Sequence, residues 1–371
     1  MTTRLRRALD GIADEAPPVD LSDLADRIVT RRPRPRRWLP ALAAAGVALV
    51  VGAAAGTVTL VLPPAPGARP AASATGPLPD LPAGAVGPLR YAYLTQCTVE
   101  KNPEQTLDCS AVEWQVVTQD GKRYRVPQAL ALAGNRRIPL AISRDGRRLA
   151  YYSRQAGAHV VRDLATGAET VSPVKIEERR IGIGSMLAVS DDGRHLVFDP
   201  REGTKDPGTL IDVRTGRTVP VPGRYEVVTV KDGVAELVRY VRTDLRLMPV
   251  TGRPGRTVRF GGAFIFFSEL APDGRTVAAV EHAELAKRRI TLLDTRTGRK
   301  LREVAVTGLP REGAIGGTGL WRSGTELTLL VEDRDGMSGY AVDVTTGRAR
   351  RVTAYPGATA GLTALPGLAS G

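Results

Sequence analysis

Few side chains in this sequence have the types and spacing that catalysis or metal binding requires. The 371 residues include three histidines, His159, His195 and His282, each in a different copy of a repeating pattern. No Gly-x-Ser-x-Gly nucleophile elbow, His-Glu-x-x-His motif, EF-hand loop or phosphate-binding glycine loop is present. The sequence therefore predicts no catalytic residues, no metal ligands and no cofactor. We expect the histidines to have structural or surface roles.

The two cysteines, Cys97 and Cys109, are close enough in sequence to form a disulfide. Such a pair is most often oxidised in an outer compartment, whereas a metal site would need more ligands and no histidine lies near. The residues between them are polar and include the turn signal Asn102-Pro103. The spacing predicts a long loop stapled at its base, which contributes about 3 kcal/mol in the chain-entropy model.

Basic residues form the third chemical feature. The net charge is +13, and nine arginines against six acidic residues give residues 1–37 a charge of +3, so the rest carries +10. This excess favours an anionic partner such as a cell-envelope polymer or lipid head groups, while solvated loops are the alternative. We expect no nucleic-acid partner. The candidate anion-binding clusters are Arg179 with Arg180, and Lys287 with Arg288 and Arg289.

Two turn patterns recur along residues 88–371. The first joins two strands around Asp-Gly, as in SRDGRRLAYYS at Ser143–Ser153 and SDDGRHLVFD at Ser190–Asp199. Asp-Gly suits a tight hairpin because the turn needs positive φ, which glycine adopts freely and aspartate tolerates. The second pattern, with D-x-x-T-G as its most complete form, closes a later strand of each unit. Its glycines follow one another at steps of 46, 49, 36, 46 and 49 residues: Gly121, Gly167, Gly216, Gly252, Gly298 and Gly347.

These repeats predict an all-β chain, because short apolar and β-branched runs fill the intervals without helical periodicity. The period is typical of four-stranded blades, and six copies predict a six-bladed β-propeller. The first unit lacks its opening strand, since Leu89–Leu94 matches the second strand of later units. The C-terminal residues Ala358–Leu368 are a spare strand that would pair there and close the ring. A sandwich or a solenoid is the competing architecture.

The S-x-D-G-R pattern followed by D-x-x-T-G resembles the repeats of TolB-like and WD-repeat-like bacterial β-propellers. The best matching segments include Ser143–Tyr152, Ser190–Phe198 and Asp294–Arg299, and the resemblance covers roughly residues 88–368. The Trp-Asp dipeptide of eukaryotic WD repeats is absent. The uncharged segment Trp38–Leu62, preceded by an arginine-rich tail, is similar to the single-pass arrangement of repeat-bearing membrane proteins of high-GC Gram-positive bacteria. The resemblance implies a fold and leaves the function open, since propellers include both enzymes and binding platforms.

An apolar segment, Trp38–Leu62, contains no charged residue and predicts a transmembrane helix roughly 37 Å long. Five arginines lie within the seven residues before it, which predicts a cytoplasmic tail at residues 1–37 and an extracytoplasmic propeller at 88–371. Residues 63–87 are rich in Pro, Ala and Gly and predict a semi-extended spacer. A cleaved signal peptide, with Ala72-Ser73-Ala74 as its cleavage site, is the rival interpretation. The charged start and the apolar core are both too long for it.

The predicted cytoplasmic tail contains two amphipathic stretches separated by Pro17-Pro18. Their apolar faces lack a partner within so short a segment, so they would lie on the membrane surface, pair with themselves, dock on a cytoplasmic regulatory protein or remain disordered. No Cys or His occurs in residues 1–37, which excludes a zinc-binding form of an anti-sigma module. The candidate partner-binding residues are Leu5, Leu9, Leu21, Leu24 and Ile28.

Together these features predict a membrane-anchored binding or sensing module, with an unidentified protein or a cell-envelope polymer as its ligand. The alternative is an extracytoplasmic hydrolase or lyase with residues from several blades at one mouth of the central channel. The absence of a catalytic motif favours the binding module. Carboxylates or histidines that converge in a pocket at a channel mouth would favour the enzyme.

The arginine asymmetry makes the topology directly testable. Cysteine-accessibility mapping or reporter fusions in native membranes should place residues after Pro63 outside the cell and residues 1–37 in the cytoplasm. A cytoplasmic location for residues after Pro63 would contradict the anchor's orientation and remove the oxidising compartment that the cysteine pair requires.

Overall fold

A computed structural model describes residues 78–99, 107–240, 243–334, 336–359 and 361–371. The predicted tail, the apolar segment and most of the predicted spacer lie outside these residues. Among the described residues, no helix is long and apolar enough to cross a membrane. All long elements in this part of the chain are β-strands, as the sequence predicts.

Six four-stranded antiparallel sheets form the blades, and we number the strands of each blade from the ring centre outwards. Strands 1 to 4 of blade 1 are Thr363–Ala364, Leu89–Leu94, Trp114–Thr118 and Arg123–Arg125. Those of blade 2 are Leu140–Ile142, Arg148–Ser153, Ala158–Asp163 and Glu169–Lys175. Those of blade 3 are Met186–Val189, His195–Asp199, Gly208–Asp212 and Thr218–Val221.

The second half of the ring repeats this order. The strands of blade 4 are Glu226–Lys231, Val234–Arg239, Asp244–Pro249 and Arg256–Arg259. Those of blade 5 are Phe264–Phe267, Thr276–Glu281, Arg289–Asp294 and Lys300–Ala305. Those of blade 6 are Ala314–Trp321, Glu326–Asp333, Gly336–Asp343 and Ala349–Tyr355. The connections contain two small hairpins and two 3-10 helices: Thr98–Val99 with Leu107–Asp108, Leu132–Ala133 with Arg136–Arg137, Glu178–Arg180 and His282–Lys287.

Hydrogen bonds explain the residues of the first turn pattern, which connects strands 1 and 2. In blade 2 the Ser143 hydroxyl donates to Asp145 Oδ1 at 2.6 Å and accepts the Arg148 N–H at 2.8 Å. The Asp145 carboxylate also accepts the Arg147 N–H at 2.9 Å. Serine and aspartate therefore satisfy the turn's backbone donors locally, and blade 3 repeats the same bonds.

The expectation that aspartate takes positive φ in these turns holds in blade 4. There Asp232 and Gly233 have φ of 49° and 73°, as a two-residue hairpin requires. In blades 2, 3 and 5 the glycine alone has positive φ. Those turns are longer, so their aspartates act as hydrogen-bond acceptors and do not need the left-handed conformation.

In the second turn pattern, between strands 3 and 4, the aspartate again accepts backbone hydrogen bonds. In blade 5, Asp294 Oδ1 accepts the N–H of Arg296 at 2.7 Å and that of Thr297 at 3.3 Å. The N–H of Gly298, whose φ is 72°, donates to the Asp294 carbonyl at 2.8 Å. Glycine is needed there because side chains rarely adopt this conformation.

The two turn patterns are also joined by ion pairs within a blade. Arg194 of the first pattern contacts Asp212 of the second at 2.7 Å in blade 3, and Arg275 pairs with Asp294 in blade 5. These guanidinium groups hold the pKa of both carboxyls well below their ordinary value. The patterns therefore recur together because one supplies the counter-charge of the other.

Buried apolar clusters lie at each of the six blade junctions in the described chain. At the junction of blades 2 and 3, for example, Tyr152 and Ile138 pack with Phe198 and Ile211. Because each blade buries one face against its neighbour, no blade would be stable alone, and the ring has to close.

The C-terminal segment closes the ring, as predicted. Thr363–Ala364 pairs antiparallel with Leu89–Leu94 and supplies the missing first strand of blade 1. The last junction, between blades 6 and 1, buries Tyr91 with Leu365, and the Tyr91 hydroxyl donates to the Pro356 carbonyl at 2.8 Å. The chain thus begins and ends its fold in the same blade.

The end of the predicted spacer also packs on the propeller. The Leu81 N–H donates to the Arg125 carbonyl of blade 1 at 2.7 Å, and the Val86 N–H donates to the Leu164 carbonyl of blade 2 at 2.6 Å. Leu81 is buried. The packed part of the chain therefore begins near residue 79, before the predicted start at residue 88.

Removal of the closing segment should destabilise the whole ring. We expect deletion of residues 357–371 from the full chain to lower the melting temperature by roughly 10 °C or more, or to cause aggregation, because blade 1 loses its inner strand. Deletion of residues 367–371 alone retains that strand and should have a smaller effect. Thermal unfolding of both variants checks this, and unchanged melting of the longer deletion would show that the segment does not hold the ring closed.

Candidate functional site

The central channel, where the sequence places the site of an enzyme, contains the chain's own C-terminus. The Gly367 N–H donates to the Ile142 carbonyl of blade 2 at 2.9 Å. Ser370 exchanges two backbone hydrogen bonds with Leu187 of blade 3, and the Ala369 N–H donates to strand 1 of blade 4 at 2.9 Å. The residues after the closing strand therefore occupy the ring centre.

The closing segment reverses direction at Gly367, directly below one mouth of the channel. Its φ is 74°, and a Cβ there would lie 3.0 Å from side-chain carbons of Arg144 and Leu320. A larger residue would be strained by both the backbone and this close approach. We call this end, where the turns between strands 1 and 2 converge, the turn mouth.

Arg144 spans the turn mouth and connects four blades. Its guanidinium pairs with Glu269 of blade 5 and donates to the Trp321 carbonyl of blade 6 at 3.1 Å. Its backbone N–H donates to Asp191 of blade 3 at 2.7 Å. The arginine thus covers the turn of the C-terminal segment and ties blade 2 to the opposite side of the ring.

Two carboxyl groups converge under this arginine. Glu269 has no exposed surface, accepts the Trp321 N–H at 2.9 Å and lies 3.7 Å from Lys231 Nζ. Glu236 is 1% exposed and accepts the Leu270 N–H at 2.8 Å. Burial raises the pKa of Glu236 to about 8, and the charge of Glu269 acts in the same direction. The Glu236 carboxyl is therefore protonated at neutral pH, next to the Glu269 carboxyl that pairs with Arg144.

This convergence meets part of the condition set above for an enzyme, which also requires that the carboxyls line a pocket. Neither carboxyl lines any of the cavities described here. The sequence did not predict this cluster, because Arg144, Glu236 and Glu269 come from three different blades. The one sign of it in the sequence was Glu236, an acidic residue within the apolar strand VAELV.

The disulfide is confirmed: Cys97 and Cys109 are bonded. Beyond the bond, Thr98–Val99 pairs with Leu107–Asp108, and the directly opposed Val99 and Leu107 are 58% and 66% exposed. The disulfide thus fixes a short hairpin on which two large apolar side chains are exposed to solvent.

The largest cleft described here, about 480 Å³, opens beside this hairpin. It lies at the channel end opposite the turn mouth, because residues 153–155 follow the far end of blade 2's second strand. Segment 126–132 forms its floor, with buried Val126, Ala129 and Ala131 and half-buried Leu130. Its volume is in the range of binding sites, and Glu113, Gln128 and Arg154 give it a mixed lining around this floor.

One predicted anion-binding cluster lies in the 3-10 helix Glu178–Arg180, and the other runs from the end of the 3-10 helix His282–Lys287 into the strand that begins at Arg289. Most of their basic groups are engaged locally. Arg179 pairs with Glu177, and Lys287 Nζ contacts Glu284 at 2.8 Å. Arg289 lies 3.4 Å from a glutamate on the neighbouring outer strand, and Arg288 donates to the Gly313 carbonyl at 2.9 Å. Arg180 is exposed. Anion binding at these clusters stays a prediction.

The three histidines lie apart from one another. His159 is fully buried against the rings of Tyr152 and Phe198, and neither of its nitrogens has a partner among the described residues. Burial lowers its pKa to about 4, so it is neutral and packs as an aromatic residue. His195 lines a small cleft and His282 begins a 3-10 helix. The partner-binding leucines and isoleucine of the predicted tail lie outside the described residues.

No family model matches the sequence, and no curated protein sequence matches it. TolB from Acinetobacter baumannii is similar in structure at 17% identity and a TM-score of 0.45, over 74% of this chain and 64% of that chain. Kluyveromyces lactis Hsv2 with a Gly-Ser linker replacing loop 6CD is similar at 13% identity and a TM-score of 0.42, over 71% of this chain and 83% of that chain.

Kuenenia stuttgartiensis hydrazine synthase gives 16% identity and a TM-score of 0.34, over 45% of this chain and 48% of that chain. The chain thus spans about half of that protein and 64% of the TolB chain. The propeller fold itself is shown by the six four-stranded sheets of this chain.

The buried carboxyl pair predicts an unusual pH dependence of stability. Glu236 keeps its proton in the folded state up to about pH 8 but loses it near pH 4.5 when unfolded. Its contribution to the unfolding free energy is therefore complete below pH 4.5 and is lost as the pH rises to 8. We expect Glu236→Gln to lie within about 1 kcal/mol of the wild type at pH 5 and to exceed it by roughly 4 kcal/mol at pH 8.

Denaturant unfolding at several pH values checks this, with Glu269→Gln as the control. That substitution removes the carboxylate that pairs with Arg144 and should destabilise the protein throughout this range. Parallel pH profiles for the wild type and Glu236→Gln would contradict the prediction.

Proposed function

We propose that the protein is a membrane-anchored binding module whose propeller docks a protein partner at the cleft beside the disulfide hairpin. The carrying observation is the exposed pair Val99 and Leu107, on the hairpin whose Cys109 lines the largest cleft described here. Exposed apolar groups of this size mark interaction surfaces when they lie together and next to a concave apolar floor. The partner would present an apolar loop or strand to this floor.

The disulfide supports this assignment because it orders the hairpin before binding. A loop that is already held in place loses less conformational entropy when a partner docks. The bond between Cys97 and Cys109 lies at the base of the hairpin, and Cys109 and Ser110 continue directly into the cleft wall. The apolar pair and the cleft would therefore act as one surface.

The arrangement at the ring centre favours binding over catalysis. The closing segment fills the channel, and the converging carboxyls of Glu236 and Glu269 are occupied by main-chain N–H groups, Arg144 and Lys231. A catalytic acid or base has to reach its substrate. The alternative, an extracytoplasmic enzyme at this mouth, would require the closing segment and Arg144 to move.

The anchor and the orientation are proposed from the sequence. The uncharged segment 38–62 and the arginines before it support a single-pass plasma-membrane protein, in a high-GC Gram-positive bacterium, with the propeller outside. Sensing would then consist of partner binding outside and contact of the amphipathic tail with a regulatory protein inside.

Site-specific photo-crosslinking in native membranes tests the docking surface. A photoreactive residue at Gln155, an exposed position of the cleft wall, should give a discrete protein adduct, whereas one at the exposed Ala165 of the same blade should not. Leu107→Asp should reduce the adduct roughly tenfold, because it puts a charge on an apolar contact.

The stability of the purified Leu107→Asp protein should stay within about 0.5 kcal/mol of the wild type, because the side chain is exposed. Equal adducts at Gln155 and Ala165, or an adduct that Leu107→Asp leaves unchanged, would refute docking at the cleft.

A further inference from the structure

Arginine recurs at one position of the turns between strands 3 and 4. The tripeptide Thr-Gly-Arg occurs in four consecutive blades, ending at Arg217, Arg253, Arg299 and Arg348. The glycine before each arginine has φ between 72° and 77°. In blades 3, 5 and 6 the glycine N–H also donates to the carbonyl of the aspartate four residues earlier. The repeat therefore presents these arginines in similar positions along one side of the ring.

Packing joins these turns into one continuous surface. The turn at Gly298 of blade 5 lies against the Arg259 carbonyl, on the outer strand of blade 4. In the same way, the turn at Gly347 lies against the Ala305 carbonyl, on the outer strand of blade 5. Neither position has room for a Cβ, so each turn contacts the preceding outer strand directly. We call the exposed surface of segments 213–221, 250–259, 295–305 and 344–355 the arginine belt.

The belt is almost purely basic. It contains one acidic residue, Glu303, against twelve exposed basic residues. The corresponding segment 164–175 of blade 2 has one acidic and one basic residue. The charge is therefore concentrated on blades 3 to 6. The basic residues are Arg214, Arg217, Arg253, Arg256, Arg259, Arg296, Arg299, Lys300, Arg302, Arg348, Arg350 and Arg351.

Most of this charge is not neutralised within the described chain. Arg259, Lys300 and Arg350 form ion pairs, and Arg217 donates to a backbone carbonyl. The other eight have no ion pair with a described residue. This differs from the clusters at the 3-10 helices, where glutamates lie beside most of the basic groups. Like charges held close together raise the local potential and attract an anionic ligand.

We propose that the arginine belt binds a linear polymer with phosphate groups recurring along its chain. Guanidinium groups bind phosphate oxygens through paired hydrogen bonds, and recurring arginines match recurring phosphates. The belt follows the curved outside of four blades, so a flat bilayer would reach only part of it, whereas a flexible chain follows the curve. Free polyphosphate and a poly(glycerol phosphate) chain share this chemistry. The site does not depend on the cleft proposed above.

Binding of long-chain inorganic polyphosphate to the full chain in neutral detergent micelles tests the belt. The belt variant is R253Q/R296Q/R299Q/R348Q, and the matched control is R147Q/K175Q/K205Q/R311Q. The control removes the same charge from exposed residues outside the belt that lack an ion pair with a described residue. We expect the belt variant to lose at least roughly tenfold in affinity at about 0.1 M salt. The salt slope of log K should become shallower by about 3, at roughly 0.7 per lost contact.

The control should retain most of its affinity, and orthophosphate should compete weakly because it lacks recurring charge. A parallel measurement with poly(glycerol phosphate) distinguishes the two sources of the polymer. An equal loss of affinity in both variants would show that binding depends only on net charge, and it would overturn the proposal. So would binding to anionic phosphatidylglycerol vesicles without binding to either polymer. Melting curves of both variants confirm that the fold is intact.

Discussion

Ring closure is the constraint on which the rest of this structure depends. Each blade buries one face against the next, so a gap anywhere would expose two apolar faces and an unpaired strand edge. The chain meets this requirement by returning its C-terminus to blade 1, where Thr363–Ala364 pairs with Leu89–Leu94. Sequence-distant segments therefore have to meet before the last junction is complete.

The same C-terminal segment also determines what occupies the ring centre. After the closing strand, residues 367–370 continue into the channel, where they form hydrogen bonds with the inner strands of blades 2 to 4. Arg144 and Glu269 then connect opposite blades above them. A full burial of Glu269 is tolerable because the arginine, Lys231 and a main-chain N–H surround it. The contacts at the centre thus hold the blades together, and the two binding surfaces proposed above lie away from it.

Two of those surfaces differ in chemistry. The cleft beside the disulfide hairpin combines polar walls with a floor of small apolar residues, whereas the arginine belt is basic and extends over four blades. They also differ from the basic 3-10 helices, where Arg179 and Lys287 have glutamate partners. The contrast shows that arginine content alone says little about binding, because the neighbours of each arginine decide whether its charge is available.

The sequence by itself determined the features that depend on local residues. Spacing of Asp-Gly and D-x-x-T-G turns predicted six four-stranded blades, the missing first strand predicted closure by the tail, and the cysteine spacing predicted the disulfide. These are encoded locally because turns require glycine, aspartate and serine at fixed offsets. Only the tertiary structure decided that the tail fills the channel, that Glu236 and Glu269 meet under Arg144, and that arginines of four blades form one belt. Each of these depends on the angle between blades, which places residues from distant repeats side by side and leaves no mark on the spacing within any one repeat.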